Sequence, residues 1–357
     1  MFLNSLNQFR ALAIILVVAI HSFGAAGVVL DTPFKNLIGN FIAAGTILFY
    51  FISGFLFHHV SYARKASFNF KSFITKKIKF IFIPYVIMSL PIIIWMITTH
   101  NDHYEGLFLP AGKGFYNEYI KPYILYMLTG RHLTAYWFVM VSLTISAMSP
   151  LWVRFIKAPH LYQSVIIIFL LAVSAFMHRP VGNIFTPQSI IYYIPVYLFG
   201  VYCSIYKASI YDKFQNKEWI LLSTFTILLI GQTFFIEQQG TSHKAMFMYA
   251  GVDIILFQKL IFCVLILVFL HRFEHVQSRI VDIIARTSFA VFFIHPYILV
   301  GFRSARDYID IPFGLTYYPF IFGIIFLTSI MAALLVKKIL GQYSDYIIGL
   351  IPPNKKT

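Results

Sequence analysis

Charge is what this chain has least of. Asp, Glu, Lys and Arg make up 11% of the 357 residues, and acidic residues number only 13. Soluble domains carry roughly a quarter charged residues, because a compact solvated body needs a polar surface. A water-soluble enzyme, a disordered chain and a nucleic-acid-binding module are excluded on that ground. Cysteine is nearly missing as well. Cys203 and Cys263 both fall inside apolar runs, so no disulfide framework is implied and the redox compartment stays open. There is no polar stretch long enough for a separate soluble domain: the longest break, 99–134, is too short and too mixed to hold a core. No internal repeat is evident, which weakens a transporter built from inverted halves. No G-x-S-x-G elbow surrounds Ser53. The metal-capable residues from Thr99 to Glu105 match no closed zinc set, so a solvated loop and no metal are expected there.

What is present is apolar. The chain is 59% hydrophobic, with 39 Phe and 23 Tyr, and its mean hydropathy is +0.77. Stretches long enough to cross a bilayer as helix, about 17 to 25 residues, recur at 11–30, 37–57, 80–98, 135–153, 161–177, 189–206, 219–236, 252–270, 283–302 and 315–336. An all-α integral membrane protein of about ten transmembrane helices is therefore expected. The segment Tyr119 to Thr129 is shorter and contains Pro122, and reads as interfacial or re-entrant. The first stretch has the outline of a signal peptide, but nine more follow and His21 interrupts it, so it reads as a helix that stays.

Ten spans place both termini on one side. Nineteen of the 28 Lys and Arg residues fall on that side, eight on the other, and Lys259 lies within a span. Positive residues are retained in the cytoplasm, so N-in/C-in is expected, with 354–357 a short basic cytoplasmic tail. Acidic residues divide five and eight in the opposite sense. The formal net charge of +15 is thus one-faced and densest between 64 and 79. Trp137 and several Tyr and Trp residues at span ends fit interfacial belts.

Ionisable residues at membrane depth cost about 2.5 to 3.5 kcal/mol on insertion scales, so each needs a reason. His21 follows Arg10 by eleven residues. Eleven steps of 100° bring both onto one helix face, about 16 Å apart along the axis. Arg10 is then expected at the cytoplasmic mouth and His21 near mid-bilayer, lining a cavity with a titratable base at its bottom. The basic stretch Arg64, Lys65, Lys71, Lys76, Lys77 and Lys79 leads into a membrane helix. Such a cluster holds phosphates as point charges or anionic lipid headgroups, and composition alone favours lipid. Ser53-Gly54 reads as close helix packing. His295-Pro296 leaves two readings open, a bond across helices or a place in the cavity wall. His132 and Trp137 open the fourth span and, with Ser53 and His295, are the cavity-lining candidates. Asp253 and Lys259 lie about 240° apart on a helix and do not pair; no partner for Lys259 is evident.

These residues carry a resemblance. Phe9-Arg10-Ala11 with Val17-Val18-Ala19-Ile20-His21 is similar to the first-span signature of acyltransferase family 3, the multispan bacterial membrane O-acyltransferases of surface glycans. Ile52-Ser53-Gly54-Phe55-Leu56, Lys76-Lys77-Ile78-Lys79 before Ile83-Pro84-Tyr85, Tyr136-Trp137-Phe138, Ile194 to Gly200 and Ser288 to Pro296 resemble later motifs in the same order. Departures are Asn7 and Ala11, where the family often has Asp and Gly, and Lys77 and Phe80 in place of two arginines. No esterase-like domain follows the last span, so residues 1–357 are expected to act as a single transmembrane domain that completes the transfer itself.

The resemblance implies an acyl-CoA donor, acetyl or succinyl, and no bound cofactor. Its phosphates would lie on Lys76, Lys77 and Lys79 with Arg64, Lys65 and Arg10, and its thioester near His21. The acceptor would be a hydroxyl of an exported polysaccharide or lipid-linked glycan. His21 acts as general base or as an acyl carrier, and the sequence leaves both open. The implied location is the bacterial inner membrane, multi-pass in the lipid bilayer, with homo-oligomerisation or assembly with polysaccharide synthase or export machinery open. The competing expectation is a polysaccharide exporter or flippase of a biofilm glycan system.

Overall fold

The computed structural model describes residues 3–350 except 64–67, 100–105, 111, 185, 237–242 and 309–313. Arg64 and Lys65, the metal-capable residues 100–105 and the 354–357 tail therefore lie outside the described residues. The protein is 81% helical, and no strand occurs among the described residues.

Helix α1 (Asn4–Ala25) begins well before its apolar run. The reason is a tertiary cap. The carboxylate of Glu274 accepts from the backbone N–H groups of Asn4 and, at 3.2 Å, Ser5, satisfying donors that a helix N-terminus leaves open. The second span is broken into α2 (Pro33–Ile42) and α3 (Gly45–Leu56) at Ala44, whose φ is 57°. Lys259 explains how the break survives in an apolar interior. Its ammonium donates to the last carbonyls of α2, Asn40 O at 3.3 Å and Phe41 O at 2.5 Å, and lies over the rings of Phe41 and Phe262. A cation at a helix C-terminus complements the exposed carbonyls and the dipole, and this is the partner that sequence spacing does not supply.

Beyond α3 the chain continues through a π-turn, Phe57–Tyr62, to α4 (Phe70–Lys77), a second π-turn, Ile78–Phe82, and α5 (Ile83–Thr99). A short α6 (Lys121–Thr129), with Pro122 in its first turn, covers the segment expected to be interfacial. Helices α7 (Trp137–Ala147) and α8 (Ser149–Lys157) meet at a 55° bend, where Pro150 opens α8. There follow α9 (His160–Met177), α10 (Thr186–Ile205), α11 (Lys207–Phe214) and α12 (Glu218–Phe234). The chain closes with α13 (Ile254–His271), α14 (Arg279–Tyr308), α15 (Tyr318–Leu340) and α16 (Ser344–Ile347). Each of the ten expected stretches thus falls on helix. Among the described residues, eight helical segments are long and apolar enough to cross a membrane, or up to nine if the bent α7–α8 pair is one span; α12 is apolar but shorter.

Helix α1 is the hub, packed against α14, α3, α15 and α13, with Phe9, Ala13, Ile14 and Val18 fully buried. The outer helices present bare hydrocarbon instead: Ile168 on α9, Ile227 on α12 and Phe320 on α15 are 67%, 68% and 72% exposed. Apolar faces of that extent need a hydrocarbon solvent. The closest helix crossing is α3 on α10. A Cβ on Gly54 would stand 1.9 Å from Tyr197 O, and one on Gly200 would stand 2.1 Å from Phe51 O, so each backbone rides directly on the other.

Gly54→Ala and Gly200→Ala are each expected to cost about 1–3 kcal/mol or more through overpacking. Melting curves of the detergent-solubilised protein check this, with Ser53→Ala, next to the crossing, expected to melt near the wild-type temperature.

Candidate functional site

The face of α1 that carries Arg10 and His21 is packed on α14. Arg10, half-buried, has Nη2 3.4 Å from Ser288 Oγ, and the His21 ring stacks on that of His295 with 27° between the planes, centroids 5.6 Å apart. Ser288 and His295 are seven residues apart, two helical turns, and so share one face of α14. The eleven-residue spacing on α1 and the seven-residue spacing on α14 thus define a single polar seam. At its Arg10 end, Asn7 Nδ2 donates to Asp282 Oδ1 at 2.8 Å, and Asp282 pairs with Arg286 at 2.6 Å. The Asn that replaces the expected Asp at position 7 is therefore a donor to an acidic side chain of α14.

His21 lies four residues before the end of α1, nearer the far end of the helix than its middle. Its Nδ1 is 3.1 Å from Thr134 Oγ1, which orients the ring and leaves Nε2 as the other reactive position. His295 resolves differently from both sequence readings. Its Nδ1–H donates back along its own helix to Val291 O at 2.9 Å, so Nε2 carries the lone pair, and that buried nitrogen has no hydrogen-bond partner. Pro296 follows in the same helix, and a proline supplies no N–H to the carbonyl four residues back.

Beside His21 is a cavity of about 220 Å³. It is lined by His21, Thr46, Trp137, Arg179, Asn183 and His243 among others. Trp137 therefore stands in the cavity wall, stacked on Tyr193 at 5.5 Å. Ser53 sits half-buried at the α3–α10 crossing and does not line the cavity. His132 is 1% exposed, and its nitrogens are taken by Ser89 Oγ at 2.8 Å and Tyr126 O at 3.2 Å. It is a bonded structural histidine rather than a wall residue.

Arg179, His243, Thr46 and Thr134 were not legible as site residues. Arg179 is placed by a loop that two side chains strap down. Gln188 Nε2 donates to Met177 O, His178 O and Lys244 O at 3.1–3.3 Å. His178, at φ 57°, donates from Nε2 to Gly251 O at 2.9 Å. A non-glycine residue in that conformation costs of order 1–3 kcal/mol and persists only when its surroundings fix it. Burial first, and then Arg179, hold the His243 imidazole down at about 3.

At the Arg10 end an open cavity of about 470 Å³ is lined by Asn69, Lys71, Ser72, Thr75, Lys76, Lys79, Phe80 and Tyr346. Lys76 and Lys79 share this wall, whereas Lys77 turns inward, close enough to Arg10 to interact electrostatically. Lys79 lies within the π-turn at 78–82, which Lys76 and Lys77 precede. Among the described residues no cluster of His, Cys, Asp or Glu could hold a metal ion.

Comparison with known proteins gives one family. A family model described as an acyltransferase domain matches residues 3–336. No curated protein and no solved structure matches the chain.

Burial also pushes the His132 imidazole down to about 3, against about 6.5 in an unfolded chain. Below about pH 6.5 the unfolded chain takes up a proton that the folded protein refuses, so stability falls as pH drops toward 3, by up to roughly 1.4 kcal/mol per unit. His132→Gln is expected to flatten that acid loss. Melting temperatures at pH 7 and pH 5, compared between wild type and variant, measure it.

Proposed function

The chain belongs to this acyltransferase family, and from that premise we propose that it moves an acyl group from cytoplasmic acyl-CoA to a hydroxyl of an exported or surface polysaccharide. The single observation that carries the reading is the α1–α14 seam. It carries Arg10, which interacts with Lys77 of the lysine-rich segment, and, about 16 Å further along α1, His21 in the wall of a small cavity. Both termini lie on the cytoplasmic side in this reading, in a bacterial inner membrane crossed about ten times, with α12 and the bent α7–α8 pair completing the count.

In this reading Lys71, Lys76 and Lys79 hold the CoA phosphates as point charges. Arg10 and Lys77 guard the passage inward, and the pantetheine arm reaches along α1. Thr134 holds Nδ1 of His21, so Nε2 is free to take the proton of the acceptor hydroxyl as its oxygen attacks the thioester carbonyl. The new C–O bond forms and the C–S bond breaks. The CoA thiolate leaves and recovers the proton from His21, returning the imidazole to its neutral form. His295 stacks behind His21 with a bare Nε2, a second base at the same depth.

A glycan exporter is the rival reading. It needs a continuous polar path wide enough for a sugar chain, whereas ionisable residues within the spans are few and those of α1 lie on one face. Two measurements separate the readings. His21→Ala is expected to slow acyl transfer from acyl-CoA by about 10² to 10⁴ with an unchanged gel-filtration profile; full activity would sink the role of His21. Calorimetry with acyl-CoA in detergent is expected to show binding that reversing the charge of Lys76 and Lys79 weakens at least about tenfold, and an exporter would show no binding at all.

A further inference from the structure

The cavity beside His21 contains a buried guanidinium whose hydrogen bonds the protein leaves incomplete. Arg179 is 6% exposed, lines that cavity and meets the Tyr193 hydroxyl, yet its Nε has no hydrogen-bond partner. Among the described residues the ion pairs are Lys35–Asp31, Arg272–Glu218 and Arg286–Asp282, none of which involves it. Asp253 acts on Arg179 only through space. Its own oxygens are taken by Tyr192 Oη at 2.8 Å and by the Leu256 N–H at 3.3 Å, the cap of α13. A second guanidinium, Arg303, interacts with His21 electrostatically. A buried donor left without an acceptor is expensive, and the loop that carries Arg179 is held in a strained conformation that keeps it there.

A second feature of the same wall has the same sign. Ala43, Ala44, Gly45 and Thr46, at the N-terminus of the twelve-residue α3, line the cavity, and no side chain caps that terminus. A helix N-terminus carries roughly half a positive charge and favours an anion.

We propose that Arg179 and the α3 N-terminus form a carboxylate-binding subsite beside His21, so that one of the two reactants brings a carboxylate into this cavity. The proposal rests on acyl transfer at His21. The carboxylate is carried either by the acyl group, as in a dicarboxylic half-thioester such as succinyl, or by a uronic acid in the acceptor. One guanidinium and one helix end match a single negative charge. A diphosphate would need more, and the CoA phosphates are already provided for at the opposite end of α1. The cavity of about 220 Å³ has room for a four-carbon chain. The guanidinium fork takes a carboxylate through two N–H groups.

The test compares donors and acceptors in the full-length detergent-solubilised protein. Arg179→Gln is expected to weaken succinyl-CoA by about ten- to a hundredfold relative to acetyl-CoA if the acyl group carries the carboxylate. An equal effect on both CoA esters, or none, combined with a selective loss of galacturonate binding, places it on the acceptor. A second measurement uses the wild-type protein and so does not depend on the variant folding. Succinate or galacturonate, but not the corresponding methyl esters, is expected to protect His21 from diethyl pyrocarbonate, read by mass spectrometry of the His21 peptide. Equal protection by acids and esters, together with equal losses for both donors, would overturn the subsite and leave Arg179 serving the reacting carbonyl. If neither CoA ester binds wild type, the donor reading fails, and the protection experiment still decides for or against the carboxylate subsite.

Discussion

A polar group in a helix surrounded by hydrocarbon must be satisfied by a neighbouring helix, because no water is there to do it. On α1 that requirement falls on one face, met by α14 at Arg10 and by Thr134 at His21. Ser288 stands by Arg10 and His295 by His21, while Glu274 and Asp282, at the root of α14, bind the first turns of α1. The remaining helices are arranged around this pair. Helix α3 backs α1 on another side and is itself held to α10 by a crossing that leaves no room for a methyl group. Helix α3, whose first residues line the His21 cavity, is thus anchored further along by backbone-to-backbone contact.

The two ends of the seam differ in chemistry as well as position. The Arg10 end is open and lined by mobile, strongly hydrated lysine ammonium groups, suited to holding a charged handle loosely. The His21 end is small and walled by aromatic rings, a planar guanidinium and backbone. That contrast suits a reaction in which the donor's bulk stays in water and only its acyl end enters a confined space. Confinement strengthens every electrostatic contact made there.

Much of this was legible in the sequence. Every apolar run fell on helix, and the eleven-residue spacing of Arg10 and His21 correctly placed both on one face. The breaks were not legible. Ala43-Ala44 contains neither Gly nor Pro, and the chain turns there because Lys259, more than 200 residues away in sequence, neutralises the carbonyls that the turn exposes. For the same reason Lys259 had no evident partner: its partners are main-chain oxygens, which have no signature among side-chain letters. Arg179 was counted as one more external cation, since its position depends on a loop fixed by Gln188 and His178 and on no periodicity. His132 looked like a wall residue because the sequence does not reveal that Ser89 and the Tyr126 carbonyl consume both of its nitrogens.

The π-turns bear on how such chains are aligned. At Phe57–Tyr62 and Ile78–Phe82 the backbone bonds five residues back, as Ala63 N–H to His58 O and Ile83 N–H to Ile78 O show. The first turn closes α3, whereas the second absorbs an extra residue without interrupting the helix and resets the direction of every side chain of α5 that follows. Continuing the helical wheel of α4 across 78–82 therefore misdirects the side chains of α5. Two relatives with the same lysines one position apart can present the same surface, and two with identical spacing can present different ones. In this region the unit that descent can preserve is the direction of a charge in space, with its column in an alignment free to drift.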